Sequence, residues 1–269
     1  MPHHSLAFKF SVAWLALMAL LSLLADGLPL PSPDAQDLNN MLAGPSGSHW
    51  LGADSLGRDI LARTVHGLRL TFLVSFASVG LALVIGTCLG ISAGYIGGWY
   101  DRGLSLGLNV LLAFPPLVLI VALVAYPGNM LIKIIASLAL VFVPSITRIA
   151  RASTLRFARL DFVAAAKVAG LSHHRIITRE LMPNVLPVLL AYAFLLLGIG
   201  ALAEAGLSYL GLGMPPSVPT LGGMMAAEQA RILDAPHAVF FPGLVLFLTI
   251  FAINIVGERF NAGSEGARR

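Results

Sequence analysis

An all-α membrane protein with six transmembrane helices is the fold class this sequence predicts, and three observations predict it. Of 269 residues, 57% are hydrophobic and only 11% are charged, whereas soluble domains carry about 25% charged residues. Six stretches approach the roughly 20 apolar residues that cross a bilayer, at 6–24, 70–95, 103–126, 130–147, 185–212 and 238–256. Each run is continuous, unlike the alternating segments of about ten residues that build a membrane barrel.

The first run follows Lys9 as a signal peptide would, but Leu23 and Ala25 before Asp26 do not supply the two small residues a cleavage site needs. A retained helix is expected. The connection over 25–69 opens with Pro29, Pro31 and Pro33 and holds five Asp, so it reads as an extended linker, ending over 54–69 in a short helix at the membrane surface. In the second run Gly86, Gly90 and Gly94 recur every four residues behind Ala82. Such small-residue stripes let helices approach closely in lipid; a surface facing the transported molecule is the alternative. Pro115 and Pro116 in the third run and Pro144 in the fourth lack backbone donors and predict kinks, either static or acting as hinges.

Over 148–183 the chain leaves the apolar pattern yet keeps a helical one, with Phe162, Ala165, Ala166 and Ala169 at i, i+3, i+4 and i+7. Gly170 stands where a left-handed C-cap needs no Cβ. Ser172 suits an N-cap, and Leu171 with Ile176 suits a hydrophobic staple, while Pro183 marks entry into the next run. Three readings fit: a solvated positive connector, a lipid-headgroup helix, and a docking helix for a cytoplasmic protein. The docking helix alone explains the small-residue face and the caps together.

Glu204 is the only acidic residue inside a predicted span. It lies about 28 Å beyond Val185 at the helical rise, toward the outer interface, where it is either functional or locally paired. The connection over 214–237, with Pro215, Pro216, Pro219, Gly222 and Gly223, reads as irregular or re-entrant. The last run, 238–256, completes a five-helix core over 70–269 that follows an N-terminal part over 1–69.

Orientation comes from positive charge. With the N-terminus inside, Lys9, Arg102, seven residues from Arg148 to Arg179, Arg259, Arg268 and Arg269 make 12 inner Lys/Arg, against 5 outside. Both termini are therefore expected in the cytoplasm. The net charge of +4 has no aromatic-interleaved basic face, which argues against nucleic-acid binding. The single cysteine, Cys88, excludes a disulfide framework. The seven His fall outside the expected spans with no ligand spacing, so they read as solvated and no metal site is predicted. No Gly-x-x-x-x-Gly-Lys-Ser/Thr loop occurs, so any ATP must be bound by other subunits. An intramembrane protease lacks a base for Ser208. A gradient-driven secondary transporter remains the rival of another class.

The run from Phe162 to Gly170 followed by Leu181-Met182-Pro183-Asn184 resembles the EAA loop of binding-protein-dependent ABC importer permeases. Departures are Ala164 for the motif's Glu, Glu180 for its Ile and Met182 for its Leu. The blocks Gly52 to Asp59, Gly94 to Asp101, Ala113-Phe114-Pro115 and Glu204 to Gly213 resemble the second permease of dipeptide, oligopeptide and nickel importers. Leu106 and Asn109 stand where that family often has Arg and Asp. The resemblance implies a type I ABC importer permease fold in the inner membrane and no cofactor in this chain, ATP-Mg being held by two partner ATPases. It further implies a second homologous permease, an extracytoplasmic solute-binding protein, and peptide cargo, with nickel or a metal chelate as alternative. Phe162, Ala165, Ala166, Lys167, Gly170, Leu171, Ser172 and Pro183 would then couple to the ATPase. Asn109, Pro115, Pro116, Glu204 and Ser208 would lie along the path or gate.

Overall fold

The computed structural model describes residues 3–266, with side chains over 6–259; Arg268 and Arg269 of the positive-charge set lie outside the described residues, as do the His3 and His4 side chains. The described chain is nearly all helical. Its helices are α1 (His3–Leu23), α2 (Ile60–Ile96), α3 (Gly98–Ala113), α4 (Pro116–Val124), α5 (Met130–Phe157), α6 (Asp161–Val168), α7 (His173–Arg175), α8 (Met182–Tyr209), α9 (Leu221–Glu228) and α10 (Pro236–Gly266). Five helices are long and apolar enough to cross a membrane, and α3 with α4 makes a sixth if that bent pair is one span.

Two expectations about connections change. The surface helix over 54–69 does not form separately, because α2 is one helix of 37 residues from Ile60 to Ile96. Asp59 starts it, its Oδ1 accepting from the Ala62 N–H at 2.7 Å. Ahead of that cap, Asp54 Oδ1 accepts from the N–H groups of Leu56 and Arg58, each at 2.9 Å. Gly57 takes φ +70° to close the turn. The Asp-Ser-Leu-Gly-Arg-Asp run is thus a capped turn feeding a helix. The connection over 214–237 is likewise not irregular throughout: Thr220 accepts from the Gly223 N–H and starts α9.

Pro115 and Pro116 also act differently from expectation. Proline disfavours helical backbone at the residue before it, and Phe114 is extended (φ −81°, ψ 133°). Pro116 then opens α4 at N1. The result is an 85° break rather than a kink. By contrast α5 runs through Pro144 without ending.

Contacts divide the chain into two compact units. One comprises 1–76, 128–134 and 197–256. Its core joins Met18, Leu68, Ala205, Leu221 and Leu246, and the Trp14 indole N–H donates to Thr249 at 3.2 Å. Gly222 makes the close approach of α9 to α8 possible: a Cβ there would sit 2.6 Å from the Ala205 carbonyl carbon.

The other unit comprises 77–127, 135–196 and 257–269. Within it the glycine stripe faces α5. A Cβ on Gly86 would meet Ile146 at 2.7 Å, one on Gly90 would meet the Thr147 carbonyl oxygen at 2.6 Å, and one on Gly94 would meet Thr154 at 2.8 Å. Residue numbers rise together along both helices, so α2 and α5 run parallel at this contact. A parallel pair requires the chain to return between Ile96 and Met130, which is the crossing made by α3 and α4. In lipid the hydrophobic effect does not drive helices together, so this fit of small residues is the main attraction available. A polar tie joins α5 to α3 instead, where Arg151 forks onto both Asp101 oxygens.

Candidate functional site

The loop over 148–183 forms a small tertiary structure of its own. After α5 ends at Phe157, α6 begins at Asp161 and ends in a Schellman turn. The Gly170 N–H donates to the Lys167 carbonyl at 3.0 Å and the Leu171 N–H to the Ala166 carbonyl at 3.1 Å. Gly170 takes φ +74°, the left-handed conformation that the C′ position of this motif requires.

The apolar face of α6 divides. Val163 and Ala166 are buried and form a cluster with Ile176 and Leu181, flanked by Tyr95, Phe157 and Leu171. Phe162 (36% exposed), Ala165 and Ala169 face outward. Ala166 is therefore turned into the loop's own cluster and does not share the outward face of Phe162, Ala165 and Ala169. Of the expected staple pair, Ile176 is part of this cluster and Leu171 packs against it. Ser172 takes extended backbone ahead of α7 but makes no capping bond through its side chain. Pro183 is the second residue of α8, yet no break in the helix accompanies it. From His173 to Tyr209 the helix is continuous, with a π-helical stretch at Ile176–Leu181 just before it, where the Met182 N–H reaches the Ile177 carbonyl. The widened turn accommodates a proline that cannot donate.

Tyr95, which sequence reasoning did not single out, fastens this loop. Its hydroxyl lies 2.7 Å from His173 Nδ1, and the Lys167 ammonium sits 5.4 Å from its ring centroid. The available signal was an aromatic residue ending a glycine stripe.

The buried carboxylate lies in the other unit. Glu204 is 1% exposed, and both its oxygens are satisfied: Thr71 donates to Oε2 at 2.8 Å and Ser208 to Oε1 at 2.9 Å. Glu204 and Ser208 are thus brought together, with Thr71 the partner that the sequence did not reveal. A tight turn follows, in which Gly211 (φ +74°) closes α8 through the Leu212 N–H and the Leu207 carbonyl, 2.9 Å apart.

Asn109, Pro115 and Pro116 are exposed, and Asn109 accepts from Arg148 at 2.7 Å. Among the described residues no group of three His, Cys, Asp or Glu could hold a metal ion. The histidines are not simply solvated, however. His49 Nδ1 lies 2.9 Å from Asp59 Oδ2, and His66 Nδ1 lies 2.8 Å from the Ala62 carbonyl. Outside the spans, Asp26 receives a 2.7 Å bond from Arg69, which holds its carboxyl below the usual range.

Residues 86–265 match the family of binding-protein-dependent transport system inner membrane components, a stretch that includes the glycine stripe, the α6 loop and Glu204. The chain belongs to that family. It is 34% identical over 231 residues to the glutathione transport system permease protein GsiD of Pectobacterium atrosepticum, covering 86% of this chain and 77% of the relative. It is 36% identical over 253 residues to the dipeptide transport system permease protein DppC of Alkalihalophilus pseudofirmus, covering 93% and 83%. The fold is similar to that of a chain in the inward-facing MetNI methionine ABC transporter, with a TM-score of 0.63 at 18% identity over 76% of this chain and 97% of that one. The protein is a permease subunit of an ABC importer with the type I permease fold, and the loop over 148–183 lies inside the matched region.

Proposed function

We propose that this permease pairs with a second, homologous permease to enclose a path for di- or oligopeptides across the bacterial inner membrane. An extracytoplasmic solute-binding protein delivers the peptide, and two cytoplasmic ATPases hydrolyse ATP-Mg. The peptide class is supported by relatives named for dipeptide and glutathione transport. Both termini lie in the cytoplasm, as the excess of Lys and Arg on the inner segments favours.

The observation that carries the coupling reading is the exposed face of α6. Phe162, Ala165 and Ala169 are outward while Val163 and Ala166 anchor the helix from behind. A short helix held at a fixed angle by its own buried cluster can transmit a push from an ATPase without deforming. At the other station, Glu204, Ser208 and Thr71 link α8 to α2 and form the gate, and Asn109, Pro115 and Pro116 lie along the path.

Reconstitution of the full complex in proteoliposomes tests the reading. ATP and the binding protein should together drive accumulation of a labelled dipeptide, and Ala165→Cys should cross-link to an ATPase subunit. Accumulation of nickel but no peptide would overturn the cargo. Uptake driven by a proton gradient without the ATPases would overturn the mechanism.

A further inference from the structure

Arg148 is an exposed guanidinium whose one hydrogen-bond partner among the described residues is neutral: its Nη2 donates to Asn109 Oδ1 at 2.7 Å. We propose that Arg148 and Asn109 form a station on the translocation path that receives the C-terminal carboxylate of the transported peptide. The choice of a peptide carboxylate rests on the peptide reading above.

The helices around Arg148 do not cancel its charge. Asp101 is the one acidic residue in α2, α3 and α5, and Arg151 already forks onto both its oxygens. A guanidinium has donors and no acceptor, and with its oxygen turned to Arg148, Asn109 presents its amide N–H groups. Accessible donors with one uncompensated positive charge match a carboxylate, which a guanidinium can hold through two bonds. The surrounding residues of α5, Val143, Ile146, Thr147 and Ala150, are buried. The helix is therefore bare on one narrow face, where exposed Ala152 and Arg156 follow Arg148 at i+4 and i+8 toward the cytoplasmic loop.

A lipid phosphate is the other oxyanion a membrane arginine meets, and the direction of the side chain argues against it. A Cβ on Gly90 would touch Thr147 and Ala150, so Arg148 stands level with Gly90, six residues or about 9 Å before α2 ends at Ile96. From that depth a lipid-seeking arginine bends toward the nearer headgroups. Arg148 reaches the other way. Asp101 meets Arg151, whereas Asn109 lies about 12 Å further along α3 and Arg148 only about 4.5 Å earlier in α5. The side chain thus extends away from the cytoplasmic end.

The first arm of the test needs no cargo. In the assembled complex in nanodiscs, with Cys88→Ser removing the native thiol, Asn109→Cys is labelled with two water-soluble methanethiosulfonates, one bearing a sulfonate and one a trimethylammonium. The ratio of anionic to cationic labelling rates should fall about tenfold or more when Arg148→Gln is added. An unchanged ratio overturns the station. Labelling by a lipid-soluble maleimide alone places the pair among lipids and overturns it too. The second arm measures proteoliposome uptake of labelled alanyl-alanine at saturating loaded binding protein. Asn109→Asp sets a carboxylate against Arg148 and occupies it, so maximal uptake should fall about tenfold, the half-saturating concentration of binding protein staying the same. A merely structural contact would be strengthened by that change, and undiminished uptake would overturn the proposal. Arg148→Lys keeps the charge and should lose less uptake than Arg148→Gln. Loss of the second permease from either Arg148→Gln or Asn109→Asp on purification would make the pair a subunit contact and overturn the station. If the unaltered complex moves no peptide, the cargo reading falls alone, and the labelling ratio still decides whether an anion site exists.

Discussion

The hydroxyl of Thr71 on α2 donates to Glu204 Oε2 on α8 at 2.8 Å, joining residues 133 apart in sequence inside a buried setting. Ser208 serves the other oxygen from one turn further along α8. Because each oxygen has one hydroxyl, removing either leaves half of a buried carboxylate unpaired. Thr71→Val keeps the shape and removes only the donor, and it should destabilise the complex by about 1–3 kcal/mol. Thermal unfolding of the purified complex reads this directly, and an unchanged midpoint would show that Glu204 needs no partner. Glu204→Gln still accepts from one hydroxyl, so it should alter transport more than assembly. Wild-type uptake in that variant would make Glu204 purely structural.

The glycine stripe yields a test of opposite signs on one helix. At Gly90 a Cβ would lie 2.6 Å from the Thr147 carbonyl oxygen, whereas at Gly80 nothing lies within 4 Å. Gly80→Ala should therefore be neutral or stabilising by up to ~1 kcal/mol from helix propensity. Gly90→Ala should cost about 1–3 kcal/mol through overpacking. If both variants melt alike, the α2–α5 contact is not close packed.

How far the sequence could be read depends on the range of the interaction. Gly170 and the glycine stripe were legible because a left-handed cap and a four-residue period are local patterns. The division of the α6 face was not: Ala165 and Ala166 are chemically identical neighbours, and only the position of Ile176 and Leu181 decides which is covered. Thr71 and Tyr95 were missed for the same reason, since their partners Glu204 and His173 are distant in the chain. The 54–69 helix was misjudged because the hydropathy pattern starts at Leu70, while the Asp59 cap starts the helix at Ile60.

Gly170 gives a prediction about coupling. Its φ of +74° is closed to proline, whose ring fixes φ near −65°, and proline would also remove the N–H donated to Lys167. Gly170→Pro should break the turn between α6 and α7 while leaving the membrane helices inserted. The expected outcome is ATP hydrolysis that no longer tracks the binding protein, with peptide uptake reduced severalfold or more. Undiminished uptake would remove the loop from the mechanism. Gly170→Ala, strained by about 1 kcal/mol in the left-handed region, should fall between the two.

Tyr95 separates positioning from packing. Its hydroxyl meets His173 at 2.7 Å, its ring faces Lys167, and its body flanks the cluster of Val163, Ala166, Ile176 and Leu181. Tyr95→Phe removes only the hydroxyl bond, a net loss of about 1 kcal/mol, and keeps the face that attracts the ammonium. Tyr95→Leu removes that attraction and part of the packing as well. Protease accessibility of the loop should therefore rise slightly in the first variant and strongly in the second, and the coupling ratio of uptake to ATP hydrolysis should fall in the same order. Equal coupling in both variants would mean that α6 is positioned by its buried cluster alone, and that the end of α2 does not help set the angle at which Phe162 and Ala165 are presented.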